Sequence, residues 1–311
     1  MREAAPPAAQ LELRTPLQYR SLWVDALRRF SRNRIAMLGL GFVLLVAVLA
    51  LLAPVIDRYD PSFQQYSAIN RGPSWDHWFG TDALGRDQWS RVVHGARISL
   101  GIGLLTTVVA LSIGLTVGLA AALGGRSVDN VVMRGTDVAY AFPELLMLIL
   151  IISVVGSSFV MMVIAIGIVS CPTLARLVRG QSLSLQERDF VLAARATGAG
   201  RVHVATTHLL PNALGPVMVA AVFAIPLAIF AEAALAFIGL GIPPPAAGWG
   251  RLVADGYVGV RSSPHLVLFP TLAIALTMVS FTFIGDGLRD ALDPRASRNQ
   301  PAKERISRRR P

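Results

Sequence analysis

The sequence predicts an all-α membrane protein with about six transmembrane helices, and three observations predict it. Of its 311 residues, 53% are hydrophobic and only 15% charged, against roughly 25% charged in an average soluble domain. Six apolar stretches, 36–56, 98–123, 138–155, 159–175, 216–240 and 266–284, span or nearly span about 30 Å of hydrocarbon at a rise of about 1.5 Å per residue. Among all the charged side chains, only Glu144 and Glu232 fall inside these stretches. The rest lie between them, as the cost of an ionised group in hydrocarbon requires.

Each element follows in chain order. Residues 1–35 are mostly polar, so a cleavable signal peptide is not expected. Within them Tyr19, Leu22, Trp23, Ala26, Leu27 and Phe30 recur at helical spacing, with Arg20, Asp25, Arg28 and Arg29 on the opposite face. That pattern predicts an interfacial helix on the inner leaflet, ahead of a first span at 36–56. Segment 57–97, with five acidic residues, five basic ones and three tryptophans, reads as a small folded unit. In the second span, Gly114 and Gly118 form a G-x3-G pair that favours close helix packing. Pro143 and Glu144 interrupt the start of the third stretch, and a five-span count follows if it only dips into the bilayer. The basic tail 290–311 is expected to be flexible and solvated.

Charge and composition exclude several functions. The net charge of +10 comes from arginines flanking membrane segments, without the aromatic interleaving of a nucleic-acid surface, so no nucleic-acid partner is expected. With both termini placed inside, the inner segments hold 22 Lys and Arg and the outer segments seven, which predicts cytoplasmic termini in a multi-pass inner-membrane protein in contact with the lipid bilayer. Lys303 is the single lysine, so the chain lacks the lysine of a Walker A phosphate loop. Cys171 is the single cysteine, which rules out an intrachain disulfide. His77, His94, His203, His208 and His265 lack ligand spacing, so no metal site and no bound cofactor are expected.

The most informative segment is 187–211, on the inner side. Its alanine- and leucine-rich first part is helix-forming, Gly198 suits a left-handed helix stop, and a second helical stretch runs over 200–210. Pro211 is expected to open the next span, where its missing N–H is harmless. The product is a helix-turn-helix bracket.

Here the sequence resembles a known family. Leu192-Ala193-Ala194, three residues, Gly198, nine residues, then His208-Leu209-Leu210-Pro211 resembles the "EAA" loop of ABC importer permeases, E-A-A-x3-G-x9-I-x-L-P. It departs at Leu192, where the pattern has Glu, and at His208, where it has Ile. The run from His77 to Leu100, containing Asp82, Gly85, Arg86 and Asp87, resembles the entry to the permease core in the dipeptide, oligopeptide and nickel branch. The run Glu232-Ala-Ala-Leu-Ala-Phe-Ile-Gly239-Leu-Gly241, followed by Pro243 to Pro245 and Trp249-Gly250, resembles the same branch near the fifth span.

The resemblance implies a type I ABC importer permease fold with a five-helix core over 98–289. It also implies a second homologous permease subunit, two cytoplasmic ABC ATPase subunits that carry ATP and Mg, and an extracytoplasmic substrate-binding protein. The ATPase-coupling loop would comprise Leu192, Ala193, Ala194, Gly198, Leu210 and Pro211, and the chain itself would not be an enzyme. Peptides are the implied substrates, with nickel or another small solute as the alternative. A proton-coupled secondary transporter using Glu232 is a rival of a different class. Glu232 either faces a translocation path or is hydrogen-bonded between helices, and Glu144 is expected to be structural. Asp82, Arg86 and Asp87, at their spacing, are expected to form a loop-ordering ion pair rather than a ligand site.

Overall fold

The structure is a computed structural model that describes residues 22–293. Tyr19 and Arg20 of the expected interfacial helix, and the tail from Pro294, lie outside the described residues. The chain forms helix α1 (Leu22–Phe30) and then α2 (Arg34–Ile56). Asn33 separates them because its side chain accepts from the Ile35 and Ala36 amides at 3.2 Å, an N-cap that starts α2. Pro54 inside α2 removes the donor for the Ala50 carbonyl. The Arg97 guanidinium of the following span takes its place: Nε donates to Ala50 O, and a terminal nitrogen to Leu51 O at 2.9 Å.

Segment 57–87, with a single 3₁₀ turn at Tyr66–Ala68, leads into α3 (Gln88–Leu123). Asp87 caps α3 by accepting from the Ser90 amide at 2.9 Å. The 36-residue helix is about 54 Å long and packs closely on α6 (Phe159–Gln186). A Cβ on Gly114 would lie 2.7 Å from Leu174 Cβ, and one on Gly118 would lie 2.6 Å from Ala175 O. Both glycines are therefore needed for the helix contact.

The third apolar stretch is broken where Pro143 and Glu144 interrupt it. Stretch 138–155 is divided between α4 (Arg126–Ala141) and α5 (Glu144–Val155), whose axes differ by 89°. Phe142, immediately before Pro143, is extended at φ −85°, ψ 138°, because the proline ring crowds a helical conformation of the preceding residue. Among the described residues five helices are long and apolar enough to cross a membrane, or six if the bent pair counts as one.

After α6 come α7 (Asp189–Ala196), α8 (Arg201–His203), a π-helical turn (Val204–Leu209) and α9 (Leu210–Phe237). The last three form one continuous 37-residue rod, so Pro211 does not open the span as expected. The π turn absorbs it: Leu210 N–H bonds to Ala205 O, five residues back, and the Asn212 side chain donates to His208 O at 2.7 Å. A wider turn gives the proline ring room within a helix that would otherwise break.

Helix α10 (Trp249–Tyr257) and the span α11 (His265–Leu292) complete the described chain. Alternating directions put α1, α4, α7 and the end of α11 at one end of the molecule. Segment 57–87 and α10 lie at the other. Two apolar cores lie between, one around Ile102, Ile152, Met162, Ile166 and Leu235 and one around Ile229, Trp249, Leu252 and Phe281.

Candidate functional site

Three constructions stand out: a bracket at one end, a charged scaffold at the other, and a groove between. In the bracket, α7 stops because the Gly198 amide bonds to Arg195 O at 3.0 Å and the Ala199 amide to Ala194 O at 3.0 Å, while Gly198 adopts φ +87°. The arms close on a small core of Val191, Val204 and Leu209 with Leu123, Leu185 and Ala199 packed around it. Side chains tie the bracket to neighbouring spans. Arg195 donates to Gln186 Oε1 at 2.6 Å, and Gln186 donates to Ala122 O at 2.9 Å. Phe190, Leu192 and Val202 remain exposed, and Ala193, Gly198 and Pro211 are exposed too, while Ala194 and Leu210 are half-buried. The bracket is thus anchored on α3, α6 and α9 and presents an apolar outer face.

At the opposite end, Asp82 is a buried hub. Its carboxylate accepts from the Leu84 and Arg86 amides at 2.8 and 2.9 Å, from Arg86 Nε at 2.7 Å and from Arg91 at 2.6 Å. Arg91 reaches on to Asp255 of α10 at 3.3 Å, and Arg251 holds the same carboxylate at 2.8 Å. Asp87, besides capping α3, lies 2.8 Å from His77 Nδ1. Gly85 is required at φ +74°, since a Cβ there would fall 2.0 Å from Gln65 O. Asp82, Gly85, Arg86 and Asp87 therefore order the loop, with carboxylates already filled by internal donors. Nearby, Asp57 sits 2.7 Å from His94 Nδ1; burial raises its carboxyl pKa, and the His94 charge opposes that rise. Among the described residues no group of three or more His, Cys, Asp or Glu is placed to hold a metal ion.

Glu232 is buried among helices and hydrogen-bonded between them. It is 1% exposed, accepts from Ser99 Oγ of α3 at 3.3 Å, and Ser99 Oγ in turn accepts from the Trp249 amide at 3.0 Å. The Trp249 indole donates to Val92 O at 2.9 Å. Glu232 thus pins α9 to α3 and to the start of α10, where a Cβ on Gly248 would come within 2.8 Å of its Oε1.

The groove was not foreseen from sequence. It encloses about 640 Å³ between α4, α5, α6 and α9, and its lining includes Tyr140, Phe142, Glu144, Ser170, Thr173 and Phe223. Ser170 donates to Glu144 Oε1 at 2.8 Å. A bidentate pair, Arg179 to Asp129 at 2.5 and 2.6 Å, clamps α4 onto α6 beside it. These contacts join residues 26 and 50 positions apart, so no local sequence signal announces them.

Comparison with known proteins agrees with this architecture. Residues 112–298 match the family described as binding-protein-dependent transport system inner membrane component, and residues 21–73 match the N-terminal TM domain of oligopeptide transport permease C. The chain is 42% identical to the oligopeptide transport system permease protein OppC of Bacillus subtilis over 88% of this chain and 90% of that protein. It is 41% identical to the glutathione transport system permease protein GsiD of Shigella dysenteriae over 90% of this chain and 93% of that protein. Among solved structures, an inward-facing MetNI methionine ABC transporter chain superposes with a TM-score of 0.55 at 20% identity, covering 65% of this chain and 95% of that one. The fold is that of a type I ABC importer permease, and the chain belongs to the family of binding-protein-dependent transport system inner membrane components.

Proposed function

We propose that this chain is one of two permease subunits of an ATP-driven importer that moves peptides across the cytoplasmic membrane. The observation that carries this reading is the bracket formed by α7, Gly198 and the start of the α8–α9 rod, which is fastened to three spans and carries an exposed apolar face. A rigid element of this kind transmits rigid-body motion of a partner to the helices on both sides of it. Two cytoplasmic ATPases supply that motion by binding ATP and Mg, since this chain has no Walker A lysine; the chain itself is not an enzyme and binds no cofactor. A binding protein delivers substrate to the scaffold end. The excess of Lys and Arg near α1, the bracket and the C-terminus supports cytoplasmic termini and a cytoplasmic bracket.

A second, homologous permease subunit covers the groove. Peptide as substrate rests on the named relatives, which include oligopeptide and glutathione permeases, and alternating access at the groove follows from two such subunits moving against each other.

Gly198→Val tests the coupling. No atom lies within 4 Å of a Cβ built there, so the cost comes from the left-handed backbone, about 1–2 kcal/mol for a non-glycine residue. The expected result is a loss of peptide uptake and of peptide-stimulated ATP hydrolysis by about tenfold, the factor that about 1.4 kcal/mol represents, with membrane insertion intact. Unchanged coupling in a properly inserted variant would overturn the proposal.

A further inference from the structure

Glu144 raises a physical problem that the fold alone does not answer. It is exposed on the protein surface, yet it bonds to Ser170, which lies inside the uncharged run 159–175 of α6. Ser170 is the twelfth residue of α6, about 17 Å along the helix axis, and therefore well within the depth of about 30 Å that hydrocarbon occupies. A carboxylate there costs about 2.5–3.5 kcal/mol or more against lipid. The chain is also non-helical at Phe142 and Pro143 beside it, and irregular backbone at membrane depth is tolerated only in protein or at a water-filled cavity. The face carrying Glu144 is therefore turned away from lipid in the assembly, towards the space between this chain and the second permease subunit that the proposed function places over the groove.

Within the groove the charge is unbalanced. Glu144 is the charged residue among those lining it, the others being apolar or neutral polar such as Tyr140, Ser170 and Thr173. Arg176, whose guanidinium stacks on the groove-lining Tyr140 ring at 4.0 Å, pairs with Asp137 at 3.2 Å. Ser170 donates one hydrogen bond to Glu144, whereas a carboxylate accepts several. The groove presents a neutral-polar wall with one anionic point, which is complementary to a primary ammonium group.

We infer that Glu144 receives the ammonium group of a peptide, from its N-terminus or a lysine side chain, during passage through the groove. The inference rests on the peptide-importer reading. Glu144 would act as a specificity-determining residue, giving a cationic end a resting point at half depth, while Ser170 holds the carboxylate toward the cavity.

The test uses the complete importer, with ATPases, second permease and binding protein, reconstituted in liposomes. Uptake of trialanine, N-acetyl-trialanine and N-acetyl-Ala-Lys-Ala is compared between wild type, Glu144→Gln and Glu144→Asp. The ratio of variant to wild type is taken for each peptide, so the binding protein's own preferences cancel. For Glu144→Gln the loss with trialanine should exceed the loss with N-acetyl-trialanine by about tenfold, the scale of one charge-assisted hydrogen bond, and Glu144→Asp should restore most of it. An equal excess loss with the lysine peptide shows that any ammonium group is read, and its absence shows that the N-terminus alone is. Equal losses for all three peptides, or no loss, overturn the inference. As a measure independent of the blocked peptides, trialanine during turnover should slow alkylation of a Thr173→Cys, Cys171→Ser chain, which keeps Glu144 and places the thiol on the exposed groove wall, and lack of protection overturns it too. A wild-type importer that moves none of these peptides overturns the peptide reading itself, a failure visible before any variant is made.

Discussion

At the scale of single residues, the carboxylates of Asp82 and Glu232 are held by partners within the chain, whereas Glu144 receives one hydrogen bond, from Ser170. Asp82 has four donors and Glu232 is held in a relay through Ser99 to the Trp249 amide. A buried acceptor of this sort is a structural pin, and its loss costs about 1–3 kcal/mol when a partner is left unmatched. Glu232→Gln keeps an oxygen for Ser99, so uptake should stay within about twofold of wild type, whereas Glu232→Ala should lower thermal stability in detergent by about that 1–3 kcal/mol. Loss of transport in a fully stable Glu232→Gln protein would restore the proton-carrier rival, in which the ionisable group itself is needed. From sequence, Glu232 was an expensive intramembrane carboxylate with two open roles. Ser99 lies 133 positions from Glu232 and 150 from Trp249, which is why only the folded molecule shows what the carboxylate bonds to.

At the scale of elements, prolines decide more than the apolar pattern does. Pro54 frees a carbonyl that Arg97 collects, Pro143 turns an apparent span into a right-angled pair, and Pro211 is carried inside a rod by a π turn. The bracket was legible in outline because helix-forming residues, a glycine stop and a second helical run occur within 25 positions. The π turn was not, since a proline beside an apolar run looks the same whether it begins a helix or sits within one. Pro211→Ala should let a regular α-helical ladder return through this region. Its thermal stability should rise, by less than the roughly 3 kcal/mol of an unrelieved interior proline, because the π turn already removes most of the clash. Uptake should fall, since the bracket is then rotated relative to α9. A variant with normal uptake and unchanged melting would show that the π turn is incidental.

At the scale of the whole molecule, orientation is the property that transport depends on. The proposal places the bracket on the cytoplasmic side and segment 57–87 outside. In a Cys171→Ser background, Thr197→Cys should react with a membrane-impermeant maleimide only from the cytoplasmic side, and Ser62→Cys only from the outside, when spheroplasts are compared with inside-out vesicles. Thr197 and Ser62 are both exposed, so access rather than burial sets the outcome. The reverse labelling would remove the bracket from reach of ATP and end the coupling mechanism.

By itself the sequence determined the membrane class, the apolar segments long enough to cross, the bracket with its glycine stop and the lack of a phosphate-loop lysine, because these follow from composition and from residues close together in the chain. Hydrophobic length and helix stops are local quantities. Tertiary structure alone decided that the third apolar stretch is bent through 89°, that Glu232 is buried against Ser99 of another helix, and that Glu144 stands in a groove walled by four helices. Each of those depends on which distant side chains meet, and a carboxylate's role is set by the partners and water around it rather than by its position along the chain.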